Sequence, residues 1–490
     1  MNLSRRRFGA ALATGLAGTA QAQLTLPQRP KLLVLLVAEQ FRSDYLDRYA
    51  RLLGSEGFRL LAGKGSYFPN CHCRASTFTS SALATLSTGA YPALHGIVAD
   101  AWYNPADSAT VNADLAACQA SVLADRISED PLNRVYAIGL EREHTRLLAG
   151  YSARSVFSLE QYVSSDLYVN RRWTAIDAPP DAPPLRTLKF DATRPEEFQT
   201  LFRASPFAQT AQFDFAKSLV RKHRLGRVSG LDCLILSLGS MERLGYEVGA
   251  ESPLMREMIL HLDREIAALL SFLAETAGDG GYEVVFTAAH GAPREPDKEA
   301  RPTLAIRGEA VASAIDQALS AALDVSSLKH RYVERYVYPF VYLRRPLLRR
   351  LGIGLSEARR LAGEAALRIP GVAGYYTADS ECSHRGDWLT RFENSFHAQH
   401  SGDLMLAYRP HTVEEYGAGR GISYGSFYNY DSLVPLVFYG NRFPAQTLHT
   451  IVELADVAPT LAHAYGVSMP SSATGRVLGE IFKRESGKKE

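Results

Sequence analysis

Reactive side chains stand at or near the ends of several apolar runs of the sequence. Glu39 follows the run that begins at Lys31, Glu242 follows a second run, and His290 ends the block after a third. Carboxylate and imidazole groups bind divalent cations in proteins. Thr79 adds a hydroxyl, which is a good nucleophile only when a base or a metal ion activates it. The sequence therefore indicates cation binding or nucleophilic chemistry at a shared site.

The elements that would position these groups are predicted by apolar periodicity. Short apolar runs alternate with amphipathic stretches, and this alternation is typical of a mostly parallel sheet with helices on both faces. In such sheets ligands bind beyond the carboxyl ends of the strands. The predicted strands are Lys31–Val37, Val135–Leu140, Leu231–Ser237, Tyr282–Ala288, Asp403–Ala407 and Val434–Tyr439, with a long predicted helix at Ser252–Thr276.

Several blocks near these strand ends carry a family resemblance. They are Ala38–Arg42, Ser76–Thr79 continuing to Ser87–Pro92 and His95–Gly96, Ser240–Glu242, Thr287–Gly291, and Tyr424–Ser426 with Tyr430–Asp431. In this order the chain resembles the alkaline phosphatase superfamily, in particular its phosphate-irrepressible alkaline phosphatases and nucleotide pyrophosphatase/phosphodiesterases. The resemblance runs from about Lys31 to Leu478. It implies an alkaline-phosphatase-like α/β fold for residues 23–490, with cap insertions at about 145–230 and 300–400.

The resemblance also implies a threonine nucleophile, activated by two zinc ions, that hydrolyses phosphate esters through a phosphoenzyme. Thr79 falls on the nucleophile position. The six ligand positions are Glu39, Ala289 and His290 for one metal and Glu242, Tyr246 and Tyr424 for the other. Only His290 matches the family's ligand, and a neutral phenol is a poor zinc ligand. We therefore expect at most one weakly held divalent cation.

The phosphate clamp of the family is altered in the same direction. Glu141 and Glu143 fall where relatives carry a Lys and an Arg, and Asp100 falls where they carry an Asn. Three carboxylates thus replace groups that donate hydrogen bonds or positive charge to phosphoryl oxygens. The predicted cleft is acidic, which disfavours a phosphate dianion and favours a cation or another small molecule.

Two interpretations of these residues stay open on sequence alone. Glu39, Asp100, Glu242 and His290 could converge on a single cation. Alternatively the carboxylates pair with arginines in a salt-bridged cleft, the candidates being Arg42, Arg74, Arg142 and Arg243. In the second case Thr79 only caps the following helix. Two functions correspond to them: a catalytically degenerate binding protein, or a divergent phosphoric-ester hydrolase that uses Thr79 and an altered metal site.

Composition and the N-terminus restrict partners and location. The 490-residue chain has 54 Lys plus Arg against 52 Asp plus Glu, and this balance predicts no nucleic-acid partner. Residues 1–22 combine Ser4–Phe8, which contains paired arginines, with a short apolar run and a small-residue cleavage site. This arrangement is typical of a twin-arginine signal peptide and predicts a periplasmic or secreted protein with no later transmembrane segment. Of the five cysteines, Cys71 and Cys118 are the predicted disulfide pair.

Overall fold

The computed structural model describes residues 29–158, 195–278, 280–293, 304–323, 330–410, 412–414 and 424–482, and the short pieces 172–173 and 186–187. The predicted signal peptide and the Pro-rich stretch 178–184 lie outside the described residues. No described helix combines the length and the apolar character needed to cross a bilayer.

The strands and helices are numbered here in chain order. The strands are β1 Leu32–Gln40, β2 Ser66–His72, β3 Ala101–Asn104, β4 Ala109–Asn112, β5 Arg134–Gly139, β6 Ser155–Phe157, β7 Arg172–Trp173, β8 Arg186–Thr187, β9 Asp232–Leu238, β10 Tyr282–His290, β11 Leu304–Ile306, β12 Val333–Val337, β13 Phe340–Leu343, β14 Val372–Thr377, β15 Leu404–Tyr408, β16 Thr412–Glu414, β17 Leu433–Tyr439, β18 Gln446–Thr447 and β19 Val452–Glu453. The helices are α1 Tyr45–Arg48, α2 Phe58–Lys64, α3 Thr79–Thr88, α4 Pro92–His95, α5 Leu123–Ile127, α6 Arg142–Ala149, α7 Pro195–Arg203, α8 Pro206–His223, α9 Ser240–Val248, α10 Pro253–Ala277, α11 Gly308–Leu323, α12 Arg345–Arg350, α13 Leu355–Ala366, α14 Asp387–Ser395, α15 Asn429–Ser432 and α16 Val457–Tyr465.

A mixed, mostly parallel sheet forms the centre of the fold. Its strand order is β18-β2-β17-β10-β1-β9-β5-β6, with β19 also paired to β2. The run from β10 through β1, β9 and β5 to β6 is parallel, whereas β17 is antiparallel to both β10 and β2. Every residue of β1 is buried, as expected for a strand covered on both faces. The predicted α/β class is confirmed.

Helices cover both faces of this sheet. One group, α3, α5, α6 and α16, packs together, and a second group, α8, α9 and α10, packs together. The long predicted helix is confirmed as α10, and the side chain of Ser252 caps it by accepting a hydrogen bond from the Met255 N–H at 3.1 Å. Each layer presents apolar residues to the sheet, so the chain buries one large core.

A second, smaller sheet lies outside the main one. It has the order β12-β13-β15-β14, is antiparallel throughout, and has its own apolar core with α11 and α13. The predicted strand Asp403–Ala407 corresponds to β15, so its position in the main sheet is corrected. An apolar run alone does not distinguish a strand of the main sheet from a strand of a smaller one. The predicted disulfide is also wrong, because all five cysteines are free.

Candidate functional site

The site lies at the carboxyl edge of the central sheet, where α3 begins at Thr79. The Thr79 hydroxyl donates a hydrogen bond to Glu242 Oε1 at 2.5 Å and lies 2.9 Å from His290 Nε2. All three side chains are buried. Thr79 opens α3, Glu242 lies in the first turn of α9, and His290 ends β10. Three separate segments of the chain therefore converge on one hydroxyl.

The protonation of this trio follows from its hydrogen bonds. His290 Nδ1 lies 2.7 Å from the Gly291 carbonyl oxygen, which can only accept, so Nδ1 carries a proton. The Thr79 hydroxyl already donates to Glu242, so Nε2 donates to Thr79. Burial disfavours a charged ring, but the Glu242 carboxylate, whose Oε1 lies 3.6 Å from Nε2, raises the pKa of His290. Burial opposes ionisation of Glu242 as well, yet the nearby His290 ring lowers the pKa of the carboxyl. Both pKa shifts therefore favour the charged form of the group beside the Thr79 hydroxyl.

Asp100 occupies the N-terminus of α3. Its Oδ1 accepts the backbone N–H of Ser80 at 2.8 Å, and its Oδ2 accepts the hydroxyl of Tyr424 at 2.9 Å. A helix N-terminus attracts anions because its first N–H groups have no partner within the helix. The carboxylate of Asp100 is the anion at this helix N-terminus, because it accepts the Ser80 N–H. The interpretation of Thr79 as the helix cap is wrong, because its hydroxyl is used by Glu242 and His290.

Two phenol rings stand at ligand positions of the second metal. Tyr424 stacks on His290 with ring centroids 4.4 Å apart and an interplanar angle of 8°, and Tyr246 lies 5.6 Å from Tyr424. The Tyr246 hydroxyl donates to Glu242 Oε1 at 3.2 Å. Burial raises the pKa of both phenols well above the usual value. The rings are neutral and fill the space with carbon, so this half does not suit a zinc ion.

The other half of the site contains a histidine that sequence reasoning missed. His144 Nδ1 lies 2.9 Å from Glu39 Oε2, and the Ser237 hydroxyl donates to Glu39 Oε1 at 2.8 Å. Burial disfavours the imidazolium, but the charge of Glu39 and its hydrogen bond raise the pKa of His144 to about 10. The Glu39 carboxylate lies close to the backbone of Gly239. A Cβ at that position would lie 2.9 Å from Glu39 Oε2, so a glycine leaves room for the carboxylate. The signal available in the sequence was a histidine five residues after the end of β5.

Glu141 and Glu143, at the predicted phosphate-clamp positions, have basic neighbours that the sequence analysis did not include. Glu141 Oε1 lies 2.8 Å from Arg203 Nη1 and 2.9 Å from Arg243 Nη2. Glu143 lies 3.8 Å from Arg146 on the same helix. The sequence identified these carboxylates, but the basic side chains of α6, α7 and α9 come close to them only in the folded chain.

The prediction of an acidic cleft is therefore corrected. Among the described residues, Glu39 has His144 as a basic partner, Glu242 has His290, and Glu141 has two arginines. The predicted pairing of a cleft carboxylate with an arginine is found for Arg243, which contacts Glu141. Two other candidates contact acids elsewhere: Arg42 pairs with Asp44, and Arg74 pairs with Asp387 and Glu453.

The donor set decides which metal centre the residues fit. A two-zinc centre does not fit, because Ala289 is a buried residue with no ligand atom and both phenols are neutral. One group remains: Glu39, His144 and Glu242 each offer a ligand atom, all within 4.8 Å of one another. Two carboxylates and an imidazole are ligands that a divalent cation accepts. The single-cation set predicted from sequence is corrected, since His144 replaces His290 and Asp100 in it.

Comparison with known proteins defines the class of this molecule. A crystal structure of alkaline phosphatase PafA superposes with a TM-score of 0.81 at 21% identity, covering 93% of this chain and 99% of that one. The fold is thus that of the alkaline phosphatase superfamily. The family model for type I phosphodiesterase / nucleotide pyrophosphatase matches residues 33–415, and the chain belongs to that family.

Sequence relatives extend over nearly the whole chain. Alkaline phosphatase PafA of Elizabethkingia meningoseptica is 23% identical, with 97% of this chain and 98% of the relative covered. Alkaline phosphatase PhoD of Zymomonas mobilis is 25% identical, covering 88% and 84%, and alkaline phosphatase PhoV of Synechococcus elongatus is 20% identical, covering 93% of each. Sequence similarity to these proteins therefore extends over most of this chain.

Proposed function

We propose that this chain is a catalytically degenerate member of its family, which binds a small molecule in the cleft without turning over phosphate esters. The observation that carries the proposal is the position of the Thr79 hydroxyl between Glu242 and His290. A nucleophile needs a neighbouring group that can take its proton. His290 lowers the pKa of Glu242, so this carboxylate is a weak base for the Thr79 proton. The Gly291 carbonyl oxygen accepts a hydrogen bond from Nδ1 of His290.

The environment of Thr79 supports the same conclusion. Asp100 places a carboxylate at the helix N-terminus beside the nucleophile. A phosphoryl group at that position would meet a like charge instead of a hydrogen-bond donor. Phosphoryl transfer depends on stabilising the negative charge that develops on the transferring group. The carboxylate of Asp100 does the reverse, because it adds negative charge at the start of α3.

The test is hydrolysis of p-nitrophenyl phosphate and of bis-p-nitrophenyl phosphate by the purified protein, with and without added zinc. We expect rates at or near the uncatalysed background. Thr79→Ala, which keeps the helix but removes the hydroxyl, should change almost nothing. Thr79→Ser serves as the matched control because it retains a hydroxyl.

A divergent phosphoric-ester hydrolase is the second candidate, and the group Glu39, His144 and Glu242 favours it. One divalent cation there would supply positive charge close to Thr79. A zinc-dependent rate that Thr79→Ala abolishes and Thr79→Ser retains would establish this function and contradict the degenerate one.

The location of the protein is a separate proposal. The paired Arg5 and Arg6, followed by the short apolar run, support export by the twin-arginine route. Replacing both arginines by lysine should keep the protein inside the cell, as measured by fractionation of the bacterial envelope. Unchanged export of that variant would contradict the proposal.

A further inference from the structure

A cavity lies at the amino-terminal edge of the central sheet, opposite the edge that carries Thr79. Its lining includes residues just before three parallel strands: Arg29–Lys31 before β1, Asn133 before β5 and Gly230–Leu231 before β9. Its volume is about 510 Å³, within the range of small-molecule sites. Lys31 and Glu39 stand at opposite ends of β1, about 26 Å apart along the strand. The cavity is therefore separate from the site around Thr79.

Two basic side chains line this cavity on the side of β1. Arg29 Nη1 donates a hydrogen bond to the Tyr465 carbonyl oxygen at 3.2 Å, which uses one of the five N–H donors of the guanidinium. Lys31 makes no side-chain hydrogen bond with the described residues, and neither cation forms an ion pair with them. Both residues are exposed. This side of the cavity therefore attracts a negatively charged group.

A carboxylate lines the cavity on the side of β5. Asp130 Oδ1 accepts the Leu132 N–H at 2.9 Å, and the carboxylate forms no ion pair with the described residues. The neighbouring Glu129 differs, because it pairs with Arg126. The charges of Glu129 and Arg126 offset each other, whereas the charge of Asp130 is left to attract a positively charged group.

The strand order sets the distance between the basic and the acidic side of the cavity. β9 lies between β1 and β5, and neighbouring strands are about 4.8 Å apart, so the two sides are about 10 Å apart. An extended chain spans about 3.3–3.6 Å per residue, so three residues separate an α-amino group from a carboxylate by about the same distance. A free tripeptide therefore reaches both sides at once. A single amino acid, which carries both charges on one carbon, does not.

The loop before β5 is held in place by hydrogen bonds. The Asn133 side chain donates to the Ile127 carbonyl oxygen at 2.8 Å and accepts the Leu231 N–H at 2.7 Å. Gly230 lies against this loop, because a Cβ at Gly230 would be 2.3 Å from the Leu132 carbonyl oxygen. The Leu132 side chain is 55% exposed. Leu132 therefore offers an apolar contact to a ligand side chain beside the charged groups.

We propose that this cavity is a binding site for a short free peptide, whose carboxylate lies at Arg29 and Lys31 and whose α-amino group lies at Asp130. A peptide fits the site better than a simple anion does, because a simple anion would leave Asp130 unpaired and near a like charge. The site lies at the opposite edge of the sheet from Thr79, so this proposal does not depend on the degenerate function.

The test is titration calorimetry of the full purified chain with the tripeptide Gly-Leu-Gly, at low salt because screening weakens exposed charges. We expect saturable binding of one peptide per chain. N-acetylation removes the amino charge and C-terminal amidation removes the carboxylate. Each capped peptide should therefore bind about 3-fold more weakly, the scale of one exposed ion pair. This comparison uses the unmodified protein, so it does not depend on the folding of a variant.

Two variants identify the side of the cavity that holds each end of the peptide. Asp130→Asn should bind the free peptide about 3-fold more weakly, but the N-acetylated peptide as the unmodified chain does. Lys31→Gln should weaken binding of the free peptide in the same way and leave binding of the amidated peptide unchanged. Lys64→Gln is the matched control, since Lys64 is an exposed lysine that ends α2 outside the cavity. Circular dichroism establishes that each variant is folded.

The proposal is overturned if Gly-Leu-Gly does not bind, or if either capped peptide binds as tightly as the free one. It is also overturned if Asp130→Asn and Lys31→Gln bind the free peptide as tightly as the Lys64→Gln control. The measurement involves no phosphate ester and no residue beside Thr79, so its failure leaves the degenerate function standing. Hydrolysis in the earlier assay would contradict that function and leave this site unaffected.

Discussion

The two halves of the candidate site, one around Glu39 and one around Glu242, differ in their chemistry. Around Glu39 the half keeps ligand chemistry: a carboxylate faces the imidazole of His144 at 2.9 Å, and a hydroxyl supports it. Around Glu242 the half has become aromatic, with Tyr246 and Tyr424 packed where ligands would stand. The first half places a histidine with a raised pKa beside a carboxylate. The second half contains two phenol rings with ring centroids 5.6 Å apart.

This difference shows two ways in which neighbouring side chains stabilise a buried carboxylate. An ionised carboxylate in the interior is costly unless it is paired or hydrogen-bonded. Glu39 meets that requirement through His144. Glu242 meets it through His290, Thr79 and Tyr246. Both halves are satisfied by the protein's own side chains.

The largest expected effect is on the aromatic half. Tyr424→Ala removes the ring that stacks on His290 and leaves Asp100 Oδ2 without its donor. We expect the free energy of unfolding to fall by about 3 kcal/mol, the scale of a truncated aromatic side chain. Tyr424→Phe should lose only about 1 kcal/mol, since it removes the hydrogen bond alone. Urea denaturation followed by circular dichroism measures both.

Tyr151→Ala is the control for that series, because Tyr151 is 63% exposed and its loss should change stability little. If Tyr424→Ala were as stable as this control, the aromatic half would not be a packed replacement for the metal position.

A smaller effect is expected for the half around Glu39 and His144, where the free energy of unfolding should depend on pH. The pKa of His144 is raised to about 10, above its value in the unfolded chain. Its contribution is therefore complete below about pH 6.5 and is lost as the pH rises towards 10. The free energy of unfolding should fall over this range by at most about 1.4 kcal/mol per pH unit for this group. His290, whose pKa is also raised, contributes in the same direction.

His144→Gln should make that decline shallower while leaving the His290 contribution in place. Denaturant titrations at pH 6, 8 and 9.5 measure the two slopes. Identical slopes for the variant and the unmodified protein would mean that His144 does not carry the charge that balances Glu39.

Much of the architecture could be predicted from sequence, for a physical reason. Buried parallel strands are continuous apolar runs, so β1, β5, β9 and β10 were located within a few residues. Motif order then placed Thr79, Glu242 and His290 together, and the structure brings them together through two short contacts. β15 was placed in the wrong sheet, since strand pairing is set by tertiary packing and not by local pattern.

Several side-chain partners in the site could not be predicted from the sequence. His144, Arg203 and Arg243 become neighbours of Glu39 and Glu141 only after α6, α7 and α9 pack at the sheet edge. Aligned positions gave the residue types but not the direction of each side chain. The negative charge predicted for the cleft was consequently overestimated, and the contact of Arg203 with Glu141 was not predicted.

The central claim is that this chain lacks a working two-metal centre, and metal content tests it most directly. The protein is purified without chelator, passed over a desalting column, and analysed by inductively coupled plasma mass spectrometry. The account predicts no more than one divalent ion per chain, lost on dialysis, because only Glu39, His144 and Glu242 form a ligand group among the described residues. Two tightly held zinc ions per chain would contradict it.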